Sequence, residues 1–252
     1  MKKKLFICSD IHGHATILKE ELNKAGFEIG NEQHLLICLG DYFERGDESL
    51  EVYEFLKSLK DQVICLFGNH EKFLQDFLSG PVSMFNYIYN GFDKTVDSFL
   101  EQTSSYPMYV LVHKDSKYSW EEFSECARKE INRDHPELLS WLNNLPYYFE
   151  TKNYIFTHGM IDGLCKNWKE PEIPWGELIW AKPIDFTRPI LNTNKTVVVG
   201  HINTGLIRSE FYNGDEKDNS IFTRPDGKVI GLDTCTILTK KINILVIEDE
   251  LI

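Results

Sequence analysis

His34-Leu35-Leu36-Ile37-Cys38-Leu39-Gly40-Asp41-Tyr42-Phe43-Glu44-Arg45-Gly46 is a short apolar run that stops at a glycine and opens into a polar loop. An unbroken apolar run of this length, with no polar alternation, suits a strand buried on both faces, as in parallel sheets. The same unit stands on either side of it. Upstream, Lys4 to Cys8 runs into Ser9-Asp10-Ile11-His12-Gly13; downstream, Gln62 to Phe67 runs into Gly68-Asn69-His70-Glu71. Amphipathic segments at Ala15 to Ala25, Ser49 to Lys60 and Glu71 to Leu78 supply the crossovers that parallel strands need. Asp47 and Ser49 are placed to cap the second of these. The fold class is therefore α/β.

Beyond Gly80 the character changes. As far as Pro146 aromatics are dense, and helices are expected over Trp120 to Arg133 and Pro136 to Asn143. Residues 80–146 read as a mostly helical insertion or cap within a single domain spanning 1–252, because strands resume afterwards. These are expected over Tyr147 to Thr157, Thr196 to Val199, Ser220 to Arg224, Lys228 to Leu232 and Ile242 to Ile247, with Pro225-Asp226-Gly227 as a turn. His34, His113 and His135 read as surface residues.

With 252 residues, the chain can bury one large core. A net charge of -12 argues against general nucleic-acid binding, which needs clustered Lys and Arg. Six cysteines without a C-x-x-C pair argue against a disulfide scaffold and for the cytoplasm. No apolar stretch approaches the ~18 residues of a membrane span, and the apolar run after Lys4 is too short for a signal peptide.

Ligands of open α/β sheets bind outside the carboxyl ends of the strands. The polar residues at those ends are Asp10 and His12, then Asp41, then Asn69 and His70. Tyr154-Ile155-Phe156-Thr157 ends in His158-Gly159, and Val197-Val198-Val199-Gly200 ends in His201. Each residue alone is ordinary, since Asp and Asn commonly end strands as turn or cap residues. Together they form the mixed oxygen and nitrogen donor set of a paired metal site, suited to Mn, Fe or Zn and free of thiolate.

D-x-H-G, G-D-x-x-E-R-G, G-N-H-E, H-G and G-H, in that order from Asp10 to His201, resemble the signature of the calcineurin-like metallophosphoesterases. The G-N-H-E form with Arg45-Gly46 is similar to the branch holding PPP-type bacterial Ser/Thr protein phosphatases and symmetrical diadenosine tetraphosphatases. The resemblance implies a four-layer α/β/β/α sandwich and two divalent metal ions, manganese being the first expectation. Asp10, His12 and Asp41 would hold one ion, and Asp41, Asn69, His158 and His201 the other. His70 would be the general acid and Arg45 the phosphate clamp. Two ions about 3.5–4 Å apart activate water and clamp phosphoryl oxygens during in-line attack.

Two positions depart from the family pattern. Glu44 stands where the family has the Asp that pairs with the catalytic His. Ile179-Trp180-Ala181-Lys182 resembles a bacterial I-W-x-R segment, with Lys182 in place of the second phosphate-binding Arg and Arg188 as its competitor; Lys lacks the bidentate fork. In Gly231-Leu232-Asp233-Thr234-Cys235, which resembles an I-D-T-G stretch, Asp233 reads as structural. The leading expectation is a phosphomonoesterase acting on phosphorylated protein or small phosphate esters. The alternatives are a symmetrical bis(5'-nucleosyl)-tetraphosphatase and a catalytically silent metal-binding scaffold.

Overall fold

The computed structural model describes residues 2–83, 90–100, 120–164, 167–169 and 176–252. The first half runs β1 (Lys2–Cys8), α1 (Ala15–Ala25), β2 (His34–Cys38), α2 (Ser49–Ser58), β3 (Val63–Cys65) and α3 (Asn69–Ser79). Helices α4 (Phe92–Leu100), α5 (Trp120–Asp134) and α6 (Leu138–Asn143) follow. Next come β4 (Tyr148–Glu150), β5 (Tyr154–Thr157), α7 (Gly176–Ile179), β6 (Thr196–Val199) and α8 (Thr204–Phe211). The chain closes with β7 (Phe222–Thr223), β8 (Val229–Gly231), α9 (Thr236–Thr239) and β9 (Leu245–Glu250).

Among the described residues the strands form two sheets, ordered β3-β2-β1-β9 and β4-β5-β6-β8-β7. In the first, β1, β2 and β3 are parallel, with Cys8, Cys38 and Cys65 in register, and β9 returns antiparallel along β1. In the second, β5, β6 and β8 are parallel.

The layers follow from side-chain alternation. Leu5, Ile7, Leu35, Ile37 and Leu39 face Phe156, Val198 and Leu232 of the other sheet and form the core between the sheets. Their neighbours Phe6, Cys8, Leu36 and Cys38 point the opposite way, against Leu18, Leu22, Leu56 and Leu74 of α1 to α3. On the far side Val197, Val199 and Val229 pack under Phe186 and Ile207. Both faces of the inner strands β1, β2, β5 and β6 are covered, so these strands read as continuous apolar runs. This is the expected α/β/β/α order.

The expected strand over Tyr147 to Thr157 is in fact the hairpin β4–β5, with Tyr148 opposite Thr157. Its turn, Thr151-Lys152-Asn153, contains neither Gly nor Pro. The carboxylate of Asp249 in β9 holds it instead, accepting from Thr151 Oγ1 at 2.6 Å, Asn153 N at 2.8 Å and Asn153 Nδ2 at 2.6 Å. A turn held by a distant side chain carries no local signal.

Asp47 and Ser49 do not cap α2. Asp47 pairs with Lys94 at 2.8 Å, and the Ser49 hydroxyl lies 3.3 Å from that of Thr95. Glu48 sits at the cap, but its carboxylate accepts Thr16 N at 2.9 Å and so serves the start of α1. His34 is buried, not exposed, and its Nδ1 accepts the Glu28 N–H at 3.1 Å; His113 lies outside the described residues.

Candidate metal centre

The loops after β1, β2, β3, β5 and β6 converge at one edge, where the two sheets meet. They approach closely because glycine permits it. A Cβ on Gly200 would collide with the Ser9 hydroxyl and the Asp10 carboxylate, and one on Gly68 would collide with Asp41. The backbone there is also strained. Asp10 (φ 55°), His12 (46°), Asp41 (58°), Glu44 (70°), Arg45 (71°) and His201 (63°) all occupy the left-handed region. Side chains beyond glycine enter that region at a cost of order 1–3 kcal/mol each, and such outliers cluster at functional sites.

Asp41 is central to the arrangement. Its Oδ2 lies 3.8 Å from His12 Nε2 and 3.7 Å from His70 Nε2, while its Oδ1 lies 3.2 Å from His158 Nε2. Two groups of donors able to hold a cation result, His12-Asp41-His70 and Asp41-His158-His201, each with its donor atoms within 4.8 Å of one another. Asp41 belongs to both. Asn69 joins the second through Oδ1, 2.9 Å from His158 Nε2. Asp10 lies outside both groups but is tied to the cluster, its Oδ2 accepting the His201 N–H at 3.1 Å. His70 falls within a group although the resemblance gives it no ligand role.

Burial organises the charges. It drives the Asp10 carboxyl up to about 8, with Asp233 and Asp41 adding like charge. Asp41 is equally buried, yet His158, His70 and His12 hold it well below the ordinary carboxylate range. Burial also opposes charge on His158, but Asp41, Asp10 and Glu71 push that ring up to about 9. Burial and the His158 charge push His201 down to about 4, and burial with His70 holds His12 well below its usual value. His12 and His201 are therefore neutral imidazoles, the ligand form, and each donor group contains one of them.

A metal pair fits these residues. The donors are carboxylate, amide and imidazole, without thiolate, which suits hard to borderline divalent ions. The buried Asp10 and Asp41 carboxylates lie where a cation would relieve their like-charge repulsion. His158 Nδ1 is buried with no hydrogen-bond partner.

Around the donors, Glu44 Oε2 lies 2.5 Å from His70 Nδ1. The Arg45 fork reaches His12 Nε2 at 2.9 Å with one nitrogen and His70 Nε2 at 3.0 Å with the other. Lys182 and Arg188 stand apart. Lys182 is exposed at the start of the Pro183–Thr187 turn, and Arg188 pairs with Asp185 at 3.0 Å.

The sequence reading assigned nothing to Glu71. Wholly buried, this carboxylate accepts the N–H groups of Asp41 at 2.7 Å, Tyr42 at 2.8 Å and Gly68 at 2.8 Å. It thereby joins the β2 and β3 loops and sets the angle at which Asp41 enters the centre. Its position three residues after Gly68, at the start of a helix, was the available clue. Asp233, read as structural, accepts Cys235 N at 2.6 Å, and Thr236 Oγ1 bonds the Asp10 carbonyl at 2.7 Å, bracing that loop from below.

A family model for the calcineurin-like phosphoesterases matches residues 3–231. The symmetrical bis(5'-nucleosyl)-tetraphosphatase of Proteus mirabilis is 26% identical over 223 residues, covering 72% of this chain and 80% of that one. The enzyme of the same name from Vibrio parahaemolyticus is 26% identical over 241 residues, covering 78% and 83%. Among solved structures, a protein serine/threonine phosphatase from Saccharomyces cerevisiae superposes with a TM-score of 0.55 at 16% identity, covering 99% of this chain and 80% of that one. A cold-active protein tyrosine phosphatase superposes at 0.56 with 18% identity, covering 97% and 73%. At such identities the superpositions speak to the fold alone.

Proposed function

The chain belongs to the calcineurin-like phosphoesterase family, and on that premise we propose that it hydrolyses nucleoside polyphosphates, with a symmetrically cleaved dinucleoside tetraphosphate as its substrate. The general activity is metal-dependent phosphoester hydrolysis. The observation that carries the substrate is the pair of alignments, each over more than two thirds of the chain, to relatives named for that reaction. The expectation of a Ser/Thr protein phosphatase rests on motifs that both branches share and on a likeness of fold, so it is the second reading.

In our assignment Asp10, His12 and Asp41 hold one ion and Asp41, Asn69, His158 and His201 the other, with manganese the first choice for both. When bound, the pair supplies an activated water and positive charge against the phosphoryl oxygens. The chain's own groups do the rest. The two Arg45 nitrogens that lie on His12 and His70 would turn to two phosphoryl oxygens when substrate binds and stabilise the charge that builds there. Glu44 Oε2 accepts the His70 Nδ1–H, which fixes the ring with Nε2 facing Asp41 and Arg45, the side from which it would meet the leaving oxygen. Burial lowers the proton affinity of that ring, but Asp41 and Glu44 outweigh it and the net shift is upward, as a proton donor to the leaving oxygen requires. Glu44 thus does the work of the family's Asp. Lys182, exposed two residues beyond the Trp180 ring that packs on His201, is assigned to the outer phosphates.

A cytoplasmic setting agrees with this substrate. Cys8, Cys38, Cys65, Cys126 and Cys235 are unbridged, and no helix among the described residues is long and apolar enough to cross a membrane.

The test is turnover by manganese-loaded protein of diadenosine tetraphosphate, a phosphothreonine peptide and p-nitrophenyl phosphate, with a chelated control. We expect the highest kcat/KM on the dinucleotide and two molecules of ADP per turnover. Preference for the peptide would move the assignment to the second reading. No turnover with any divalent metal would leave a silent scaffold.

A further inference from the structure

Trp180 is 45% exposed although its neighbours Ile179 and Ala181 are buried. Leaving so large an apolar ring in water forgoes the stabilisation that burying it would bring. The chain does not let it swing freely. The indole stands edge to face with His201, centroids 5.7 Å apart at 88°, and with Phe73, 6.3 Å apart at 79°. Phe73 in turn meets the His70 ring at 5.7 Å and 76°. An aromatic rim thus runs from His70 through Phe73 and Trp180 to His201, spanning both donor groups on one side.

Resting on the nucleotide reading above, we propose that Trp180, backed by Phe73, is the platform on which one nucleobase of the substrate stacks, and that it is a specificity-determining residue. In a dinucleoside polyphosphate the base is separated from the scissile phosphorus by a ribose and bridging phosphates. Its platform must therefore stand beside the centre and open to solvent, as Trp180 does. Stacking suits the ligand because every base presents a π face, and base–aromatic stacking is a large contribution to single-strand recognition. A phosphoserine or phosphothreonine side chain has no ring to place there. Because the product ADP keeps its base, it occupies the same platform.

The experiment uses the full chain loaded with manganese, as wild type, Trp180→Ala and Trp180→Phe. The first readout is the ratio of kcat/KM for diadenosine tetraphosphate to that for a phosphothreonine peptide. We expect Trp180→Ala to lower this ratio roughly tenfold, mostly through KM, with Trp180→Phe restoring most of it. The second is quenching of tryptophan fluorescence by ADP, which should be present in wild type and lost in Trp180→Phe. An unchanged ratio with unchanged quenching overturns the platform even if the dinucleotide is the preferred substrate. Poor dinucleotide turnover with Trp180-dependent quenching keeps the platform and removes the substrate assignment. An equal loss on both substrates, accompanied by loss of bound metal, makes Trp180 a support for His201 and overturns the proposal. So does a selective loss on a phosphotyrosine peptide, which would assign the rim to aryl phosphates.

Discussion

The two halves of the centre are built differently. The first sheet delivers Asp10, His12, Asp41 and Asn69 from loops that are strained at three of the four residues and cross-braced by Glu71. The second sheet delivers only His158 and His201, each following a strand, with Trp180 of the 176–188 segment packed beside His201. Their charges differ accordingly. Buried oxygen donors on the first side lift His158 to about 9 from across the seam, while His201 at the rim falls to about 4. One side is a cross-braced scaffold dominated by oxygen donors, and the other supplies His158 and His201 and, in our proposal, the wall that would face substrate. On that proposal, the centre is anchored from one side and selects its substrate from the other.

Asp41 joins the halves, so its loss should have the largest effect. Asp41→Asn should lower kcat/KM on the order of 10³-fold and release metal from both groups. A fully loaded, active variant would remove its bridging role. His70→Asn should cost roughly 10²-fold on an alkyl phosphate monoester, within the range of general acids. The cost on a dinucleotide should be smaller, because a departing nucleoside diphosphate needs less protonation than an alkoxide. Retained metal content separates this acid role from a ligand role, which its place among the donors of His12 and Asp41 leaves to be tested.

Glu71→Ala attacks the scaffold while leaving every proposed ligand side chain in place. It strips a partner from three buried N–H groups, at about 1–3 kcal/mol each where water cannot replace it. Apparent metal affinity should also fall about 10–100-fold, as for other outer supports of metal ligands. Equal melting temperature and equal metal titration would show that the loops hold themselves.

The smallest effect is expected at Asp249, which clasps the β4–β5 turn far from the chemistry. Burial would raise this carboxyl, but the donors of Thr151 and Asn153 outweigh it and hold it below 3.8. A depressed pKa in the folded state contributes stability that is present above the ordinary value and lost as pH falls through the folded one. Asp249→Asn should therefore cost about 1–2 kcal/mol at neutral pH. The difference from wild type in melting temperature should shrink below about pH 4. A difference independent of pH would show that packing, not the carboxylate, holds the turn.

Much of the fold was legible because, for β1, β2 and β6, the apolar run and the polar loop that follows it lie next to one another in the chain. β4–β5 was misread because its turn is held by Asp249 from another sheet. Glu71 was visible within Gly68-Asn69-His70-Glu71, yet its partners are backbone N–H groups, which leave no mark in a side-chain sequence. Trp180 was quoted only as a neighbour of Lys182, since exposure beside a site is a property of the folded surface.

The sequence by itself determined the α/β class, the order of the strand-end loops and the residue types that gather at their tips, because strand period and loop chemistry are local. Only the tertiary structure decided that His70 stands among the donors of His12 and Asp41, that Glu71 braces the Asp41 loop and that Trp180 remains open to solvent. Those three facts depend on packing that joins residues far apart in the chain.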